Sequence, residues 1–267
     1  MRVKDDMNIV ALVGSNRKKG NTAGVIHLVG ERLRAEAARH GVPLTFDVIY
    51  LGDADIRPCR GCRVCFDRGE EKCPLKDDTL AIKARIHEAD AIILGSPVYV
   101  GDVSGVVKTW IDRMAHVCHR PEFAGKCVTL IATTGGSATR HTLHTMQGAW
   151  ISWGAHLVGW AGFKLGARAT WDEIAARHGK DIDRIARRLF RAVRTRAGAR
   201  PRFAELMVFK TQQFNRSRAA RDTVDYRYWQ TQGWTNPRRT YFIPHKGGRA
   251  KVALARLVGG IMARLFA

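Results

Sequence analysis

Asn8-Ile-Val-Ala-Leu-Val-Gly14, followed at once by Ser15-Asn16-Arg17-Lys18-Lys19-Gly20-Asn21-Thr22, is the stretch on which the reading of this chain turns. A short apolar run rich in β-branched residues reads as a buried strand, and it opens into a loop made of glycine and of hydroxyl and amide donors. Gly14 suits a sharp turn and Gly20 a close approach to a ligand, while Ser15, Asn16, Asn21 and Thr22 can donate hydrogen bonds into the gap. Thr22 is the expected cap of the helix that follows, because Val25, Ile26, Val29 and Leu33 recur at helical spacing. The free N–H groups and positive dipole end of that helix then face an anion. The spacing matches neither GxGxxG nor GxxxxGK[ST], so a monophosphate is the expected guest, an ordinary strand-to-helix turn being the alternative.

Working outward, Leu44–Leu51 alternates as a second strand, Asp90–Ser96 is apolar throughout as a third, Lys126–Ala132 is a fourth and Ala155–Phe163 a fifth. Helical patterns lie between them, one beginning at Asp77-Asp78-Thr79 with Leu80, Ile82 and Ile86, and another carrying Val106, Val107, Trp110, Ile111 and Met114. The alternation predicts an α/β protein with a doubly wound, five-stranded parallel sheet, whose ligands sit beyond the carboxyl ends of the strands. Three loops fall there: Ser15–Thr22, Pro97-Val98-Tyr99-Val100-Gly101, and Thr133-Thr134-Gly135-Gly136. The second, with a rigid proline and an aromatic residue, suits a flat heteroaromatic ring; packed as an ordinary turn it would carry no ligand.

The run Gly14–Thr22, written GS-x-R-x-x-GNT, resembles the phosphate loop of the flavodoxin-like flavin reductases, and Asp90–Arg113 resembles the corresponding segment of NADPH-dependent FMN reductase-like proteins, down to Lys108 and Ile111-Asp112-Arg113. Thr133–Gly136 resembles the third flavin loop, which in that family closes over the pyrimidine end of the ring. The resemblance implies a flavodoxin-like fold with FMN held by Ser15, Asn16, Arg17, Gly20, Asn21, Thr22, Pro97–Gly101 and Thr133–Gly136, and NAD(P)H as a donor. No catalytic acid or base is required, since such a cofactor carries the chemistry.

The 57–78 connection holds Cys59-x2-Cys62-x2-Cys65-x7-Cys73-Pro74. Four thiols so close read as metal ligands before disulfides in a chain whose N-terminus leaves no room for a signal peptide, which points to a reducing, cytoplasmic location. Iron–sulfur ligation, zinc, or thiols serving dimer packing or redox sensing remain open on spacing alone. This run, ahead of Lys76-Asp77-Asp78, resembles the loop of the iron–sulfur flavoproteins, which implies a 4Fe-4S cluster on Cys59, Cys62, Cys65 and Cys73; the seven-residue final gap is longer than in the archaeal members. Arg57, Arg60, Arg63 and Arg68 are expected to raise its potential. His116, Cys118 and His119 could suggest another metal, and His141 and His144 a donor to flavin or substrate, but helix-end and helix-face positions explain them as well. Cys127 reads as a core thiol.

The net charge of +21 is uneven: residues 1–163 hold 21 Lys/Arg against 17 Asp/Glu, and residues 164–267 hold 24 against 7. With the resemblance covering residues 8 to about 163, the chain is expected to divide into a 1–170 FMN-binding domain, as the resemblance implies, and a basic helical and aromatic extension over 171–267. Within the extension, helices are expected over 171–194 and 202–213, an irregular aromatic stretch over 222–244, and an amphipathic basic helix over 249–266. That last helix places Leu254, Leu257, Val258, Ile261, Met262 and Leu265 on one face; it either lies in a membrane interface or packs on protein, with Gly259-Gly260 weakening it. The pattern Asp225–Trp229, Gly233-Trp234, Tyr241 is similar to the extension of a subset of these reductases. A homodimer or higher homo-oligomer is expected, with a redox partner protein or a small-molecule acceptor such as a quinone or an oxygen species. Without a recognisable module, nucleic acid is not an expected partner. The reading is therefore an FMN oxidoreductase of the iron–sulfur flavoprotein type, with a cluster-free NAD(P)H-dependent reductase and a redox-sensing binding protein as its alternatives.

Overall fold

The apolar run at the start forms β1 (Met7–Val13). In the computed structural model, which describes residues 6–167, 169–195 and 199–265, it lies inside a five-stranded sheet of order β2-β1-β3-β4-β5. The other strands are β2 (Leu44–Tyr50), β3 (Ala91–Pro97), β4 (Cys127–Thr134) and β5 (His156–Lys164). Every pairing is parallel, with Ile9 opposite Ala91 and Val13 opposite Gly95 where β1 meets β3. β4 is buried along its whole length, as a strand covered on both faces should be.

Helices cover the two faces. On one, α1 (Asn21–Arg39) sets Val25, Ile26, Val29 and Leu33 into a core layer. In the 57–78 connection the structure has a short helix, α2 (Val64–Asp67), and a single turn over Glu70–Lys72. The opposite face is covered by α3 (Thr79–Glu88), α4 (Gly105–Arg113) and α5 (Arg140–Ser152), which bring Ile82, Ile86, Val107, Trp110, Met146 and Trp150 into the second core layer. α6 (Trp171–Arg194) returns to the first face, where Ile174, Ile182, Leu189 and Phe190 join the α1 layer. Its basic residues lie off that buried stripe, which is why an Arg-rich segment becomes part of the α/β core.

The rest of the extension, α7 (Phe203–Ser217), α8 (Val224–Thr231) and α9 (Arg249–Leu265), encloses its own small aromatic core of Phe209, Trp229, Trp234, Tyr241 and Phe242. The expectation of an irregular 222–244 stretch is corrected by α8. Thr223 caps it, its Oγ accepting from the Tyr226 N–H at 3.2 Å, a start signal hidden among aromatic residues of middling helix propensity. α9 packs by its small residues: Ala255, Gly259, Gly260 and Ala263 are buried, and the leucines face outward. Phe266, the expected last residue of that helix, lies outside the described residues.

Gly14 serves a different purpose from the expected sharp turn. It is not among the glycines of left-handed backbone. A β-carbon there would lie 2.0 Å from Val107 Cγ2 and 2.8 Å from the Gly95 carbonyl oxygen, so the glycine lets β1 end against β3 and α4. Ser104, at the start of α4, closes the same junction: its hydroxyl donates to the Gly14 carbonyl at 2.6 Å and its N–H donates to Ser96 Oγ at 3.0 Å.

Candidate functional site

The loops after β1 and β3 leave the sheet in opposite directions, and the crevice at such a reversal is where this class of sheet takes its ligand. Here the crevice is a hollow of about 320 Å³ lined by Ser15, Asn16, Gly52, Tyr99, Ser104 and Thr109, among others, within the size range of small-ligand sites. Ser15 is buried and accepts a hydrogen bond from the Arg17 N–H at 3.1 Å. Asn16 and Arg17 are exposed beside it.

Thr22 does not cap α1; Gly20 does, with extended backbone, and it accepts from the Gly24 N–H at 3.0 Å. The Thr22 hydroxyl instead pairs with that of Thr133 at 2.7 Å, tying the first loop to the third. Asn21 Nδ2 donates to the Gly166 carbonyl at 2.9 Å. α1 therefore starts with no side-chain cap and no acidic residue in its first turn. Its leading N–H groups have no partner within the helix, and Arg17 and Lys18 are exposed in the loop just before them. Lys18 pairs with Asp53 at 2.9 Å. This donor set, all N–H and O–H beside cations, suits a phosphate.

The other two loops join at the sheet ends: the Val98 N–H donates to the Thr133 carbonyl at 2.8 Å, and Pro97 stands opposite Thr133 in the β3–β4 register. Tyr99 is half exposed and borders the hollow. Val100 and Gly101 form a tight turn closed by paired backbone hydrogen bonds between Tyr99 and Asp102 at 2.9 and 3.1 Å, both central residues having positive φ, 50° and 84°. A β-branched residue there is strained, and Val100 is fully in solvent. Val100→Asn is expected to stabilise the protein by about 1 kcal/mol, read as a rise in the thermal unfolding midpoint; a fall would remove the strain argument. Thr134 Oγ accepts from the Gly136 and Ser137 N–H groups at 3.2 and 3.0 Å, folding the third loop, and Gly135 and Gly136 are exposed. The sequence reading missed Gly52, Ser104 and Thr109. Of these only Ser104 carried a signal, as a serine just ahead of an apolar helical pattern.

The four cysteines border a second hollow together with Phe66, Pro74, Leu80 and Arg113. All four are free thiols, Cys59 and Cys62 exposed, Cys65 and Cys73 half-buried. Among the described residues no three thiol sulfurs lie within 4.8 Å of one another, whereas a tetrahedral zinc with bonds of about 2.3 Å would gather them to roughly 3.8 Å. The hollow is therefore not a closed mononuclear cage. Burial pushes the Cys65 thiol up, and the neighbouring Cys59 and Cys73 push it further.

The loop is held from outside. Arg113 donates to the Arg57 carbonyl at 3.0 Å, to the Asp77 carboxylate, and to Cys73 Sγ at 3.8 Å. Arg120 donates to the Cys65 carbonyl at 2.7 Å, to Glu70 at 3.0 Å and to Asp225 of α8 at 2.6 Å. The arginines singled out in the sequence are partly spent elsewhere: Arg57 pairs with Asp55 at 3.0 Å and Arg63 with Asp67 at 3.5 Å. The cation on a thiol is Arg113, forty residues from Cys73 and invisible to a local pattern.

The remaining candidates separate. His116 points at Glu70, 4.0 Å away, His119 Nδ1 donates to Asp225 at 2.6 Å, and Cys118 meets Ser152 at 3.2 Å. Glu70, His116 and Glu122 do converge, but Lys83 already bridges the two carboxylates and supplies their cation. His141 is exposed and faces Asp102 at 3.4 Å, while His144 sits edge-on to Trp160. Cys127 is buried in the core. Along α4, Gly105, Val106 and Thr109 border the first hollow and Asp112 and Arg113 the second, so the two sites share a helix face and are separated by roughly 10 Å of helix rise.

Strand order and loop placement define a flavodoxin-like protein. A family model described as NADPH-dependent FMN reductase matches residues 7–167, and the chain belongs to that family. It is similar to an iron–sulfur flavoprotein of Methanocaldococcus jannaschii, 44% identical over 107 residues, which are 40% of this chain and 51% of that one. A second iron–sulfur flavoprotein, from Archaeoglobus fulgidus, is 31% identical over 156 residues, 58% of this chain and 67% of its own length. The match to the first relative thus spans about half of that relative's length. Among solved structures, an oxidoreductase from Corynebacterium diphtheriae superposes with a TM-score of 0.51 at 16% identity, covering 70% of this chain and 97% of that one. A flavone reductase does so with a TM-score of 0.51 at 14% identity, covering 73% and 66%. At such identity these two speak for the fold alone.

Proposed function

We propose that this chain is an FMN-dependent oxidoreductase of the iron–sulfur flavoprotein type, taking electrons from NAD(P)H or a ferredoxin-like donor and delivering them to a quinone or an oxygen species. The observation that carries the reading is the pairing of two hollows along one face of α4, one bordered by Ser15, Asn16 and Tyr99 after β1 and β3 and the other by the four cysteines. FMN and a 4Fe-4S cluster would supply the electron chemistry.

The chain's own part is binding and tuning. The first-turn backbone amides of α1, those of Asn21 and Thr22 among them, with Ser15, Asn16 and Arg17, would hold the phosphate. Pro97–Gly101 would lie against the ring, the strained Val100 turn fixing Tyr99 beside it, and Thr133–Gly136 would face its polar edge. Cys59, Cys62, Cys65 and Cys73 would ligate iron, with Arg113 donating to a ligand sulfur. Such a donor favours the more negative, reduced state.

Anaerobic purification followed by an absorption spectrum and iron and acid-labile sulfide assays tests the reading. Flavin bands over a broad cluster absorption, with about four irons per chain, support it; flavin without iron leaves the simple reductase, and neither chromophore removes both. Arg113→Gln is expected to lower the iron retained after gel filtration and to shift the cluster potential negative by some tens of millivolts, checked by redox titration. An unchanged potential would remove Arg113 from the tuning role.

A further inference from the structure

α9 meets α7 through small residues. At Gly259 a β-carbon would lie 2.6 Å from the Met207 carbonyl oxygen and 3.0 Å from Lys210 Cβ, and the Thr211 hydroxyl donates to the Gly259 carbonyl at 3.1 Å. The close approach uses up the Ala255, Gly259 and Ala263 side of the helix. Leu254, Leu257, Ile261 and Leu265 are left 46–70% exposed, within roughly 80° of helix arc. Four large aliphatic side chains in one solvent-facing strip are more than scattered surface apolarity.

Beside this ridge runs a groove of about 480 Å³ bordered by Lys210 and Arg218 of the α7 end and Arg256 and Arg264 of α9, with Leu257 on the shared rim. Among the described residues none of these four cations has a carboxylate within ion-pair distance. Lys210 donates to Gln213 at 3.1 Å, Arg218 to the Phe214 carbonyl at 3.4 Å, and Arg256 to the Pro237 and Arg239 carbonyls at 2.8 and 2.9 Å. Arg218 and Arg264 also stand over the Phe214 ring, at 3.6 and 5.7 Å. Burial and then the charges of Arg256, Arg218 and Arg264 lower the Lys210 pKa, the mark of a locally positive field. Beyond Asp225 the sequence has no further acidic residue and eight Lys/Arg.

We propose that this face is a docking surface for an anionic phospholipid bilayer, the leucine ridge entering the interfacial layer and the groove taking lipid phosphate groups. An amphipathic helix with an aliphatic ridge and flanking cations is built for that boundary. Two copies of this chain meeting through the face would set the unpaired cations of one groove against those of the other, which disfavours a self-association surface. The ridge is aliphatic, with no exposed aromatic residue in it on which bases could stack. Among the described residues no helix is long and apolar enough to cross a membrane, so the attachment is peripheral. The inference stands apart from the redox reading and survives its failure.

Vesicle flotation with the full chain tests it. The protein is expected to float with phosphatidylcholine vesicles containing one third phosphatidylglycerol, to stay down with phosphatidylcholine alone, and to be released by salt. Arg218→Gln, Arg256→Gln and Arg264→Gln together are expected to weaken binding by about a hundredfold. Leu257→Ser with Ile261→Ser should abolish it while leaving the thermal midpoint near that of the parent. Failure to float at low salt overturns the proposal, as does flotation that neither variant weakens. So does tighter retention of inorganic phosphate or duplex DNA than of anionic vesicles, or a dimer in sedimentation that both variants dissolve.

Discussion

Arg120→Met is expected to destabilise the protein by about 3–5 kcal/mol, on the order of 10 °C in melting temperature, by taking the shared cation out of a buried ion-pair network. The Arg120 guanidinium is buried and holds three acceptors from three parts of the chain: the Cys65 carbonyl, the Glu70 carboxylate and Asp225 of α8. Glu70 would keep Lys83, and Asp225 would keep His119 and Arg216, but the Cys65 carbonyl loses its donor and the link from extension to cysteine loop is cut. Hydrogen exchange over 59–73 should therefore rise more than exchange in the sheet. Methionine preserves much of the volume, so the effect reports the charge and its hydrogen bonds. A variant within about 1 kcal/mol of the parent would show the bridge to be decorative.

Acid is expected to loosen the same region in two stages. His116 is 1% exposed, and neither ring nitrogen has a hydrogen-bond partner, Glu70 standing 4.0 Å from Nε2. Burial, aided by the Lys83 charge, lowers its pKa from 6.5 to about 4. Between those values the unfolded chain binds the proton and the folded chain does not, so stability is full above pH 6.5 and falls as pH drops toward 4. The loss is on the order of 3 kcal/mol.

The second stage belongs to Glu70 and Asp77. Burial would raise both, but the Lys83 and Arg113 hydrogen bonds outweigh it and hold each at about 2. Their contribution is present above the unfolded values of 4.5 and 3.8 and is lost as pH falls toward 2. Urea midpoints measured against pH check the sequence of events. His116→Gln should flatten the upper stage and leave the lower one. A parent protein equally stable at pH 7 and pH 4 would contradict the burial of a neutral histidine.

Much of the α/β domain was legible because its signals are local. Five short, largely apolar runs and the amphipathic helices between them announce themselves through neighbouring residues, and the strands formed within two residues of the expected bounds. The thiols of 59–73 and the glycine-rich loop after β1 were equally visible, being contiguous. Where the reading slipped, a nearby partner had been assumed for a group whose partner was remote. Thr22 turned its hydroxyl to Thr133 instead of capping its own helix.

By itself, then, the sequence determined the parallel sheet, the loops at its carboxyl end and the gathering of cysteines, since periodicity and spacing act over a few residues. Only the tertiary structure decided that Arg113 and Arg120 hold the cysteine loop, that α8 is wired to it through Asp225, and that four cations and an aliphatic ridge share one face of α7 and α9. The arginine bridges join residues from about 40 to more than 100 positions apart, and no local propensity encodes a contact that exists only once burial has made unpaired charge too costly to leave; the cationic face exists only because α7 and α9 pack side by side.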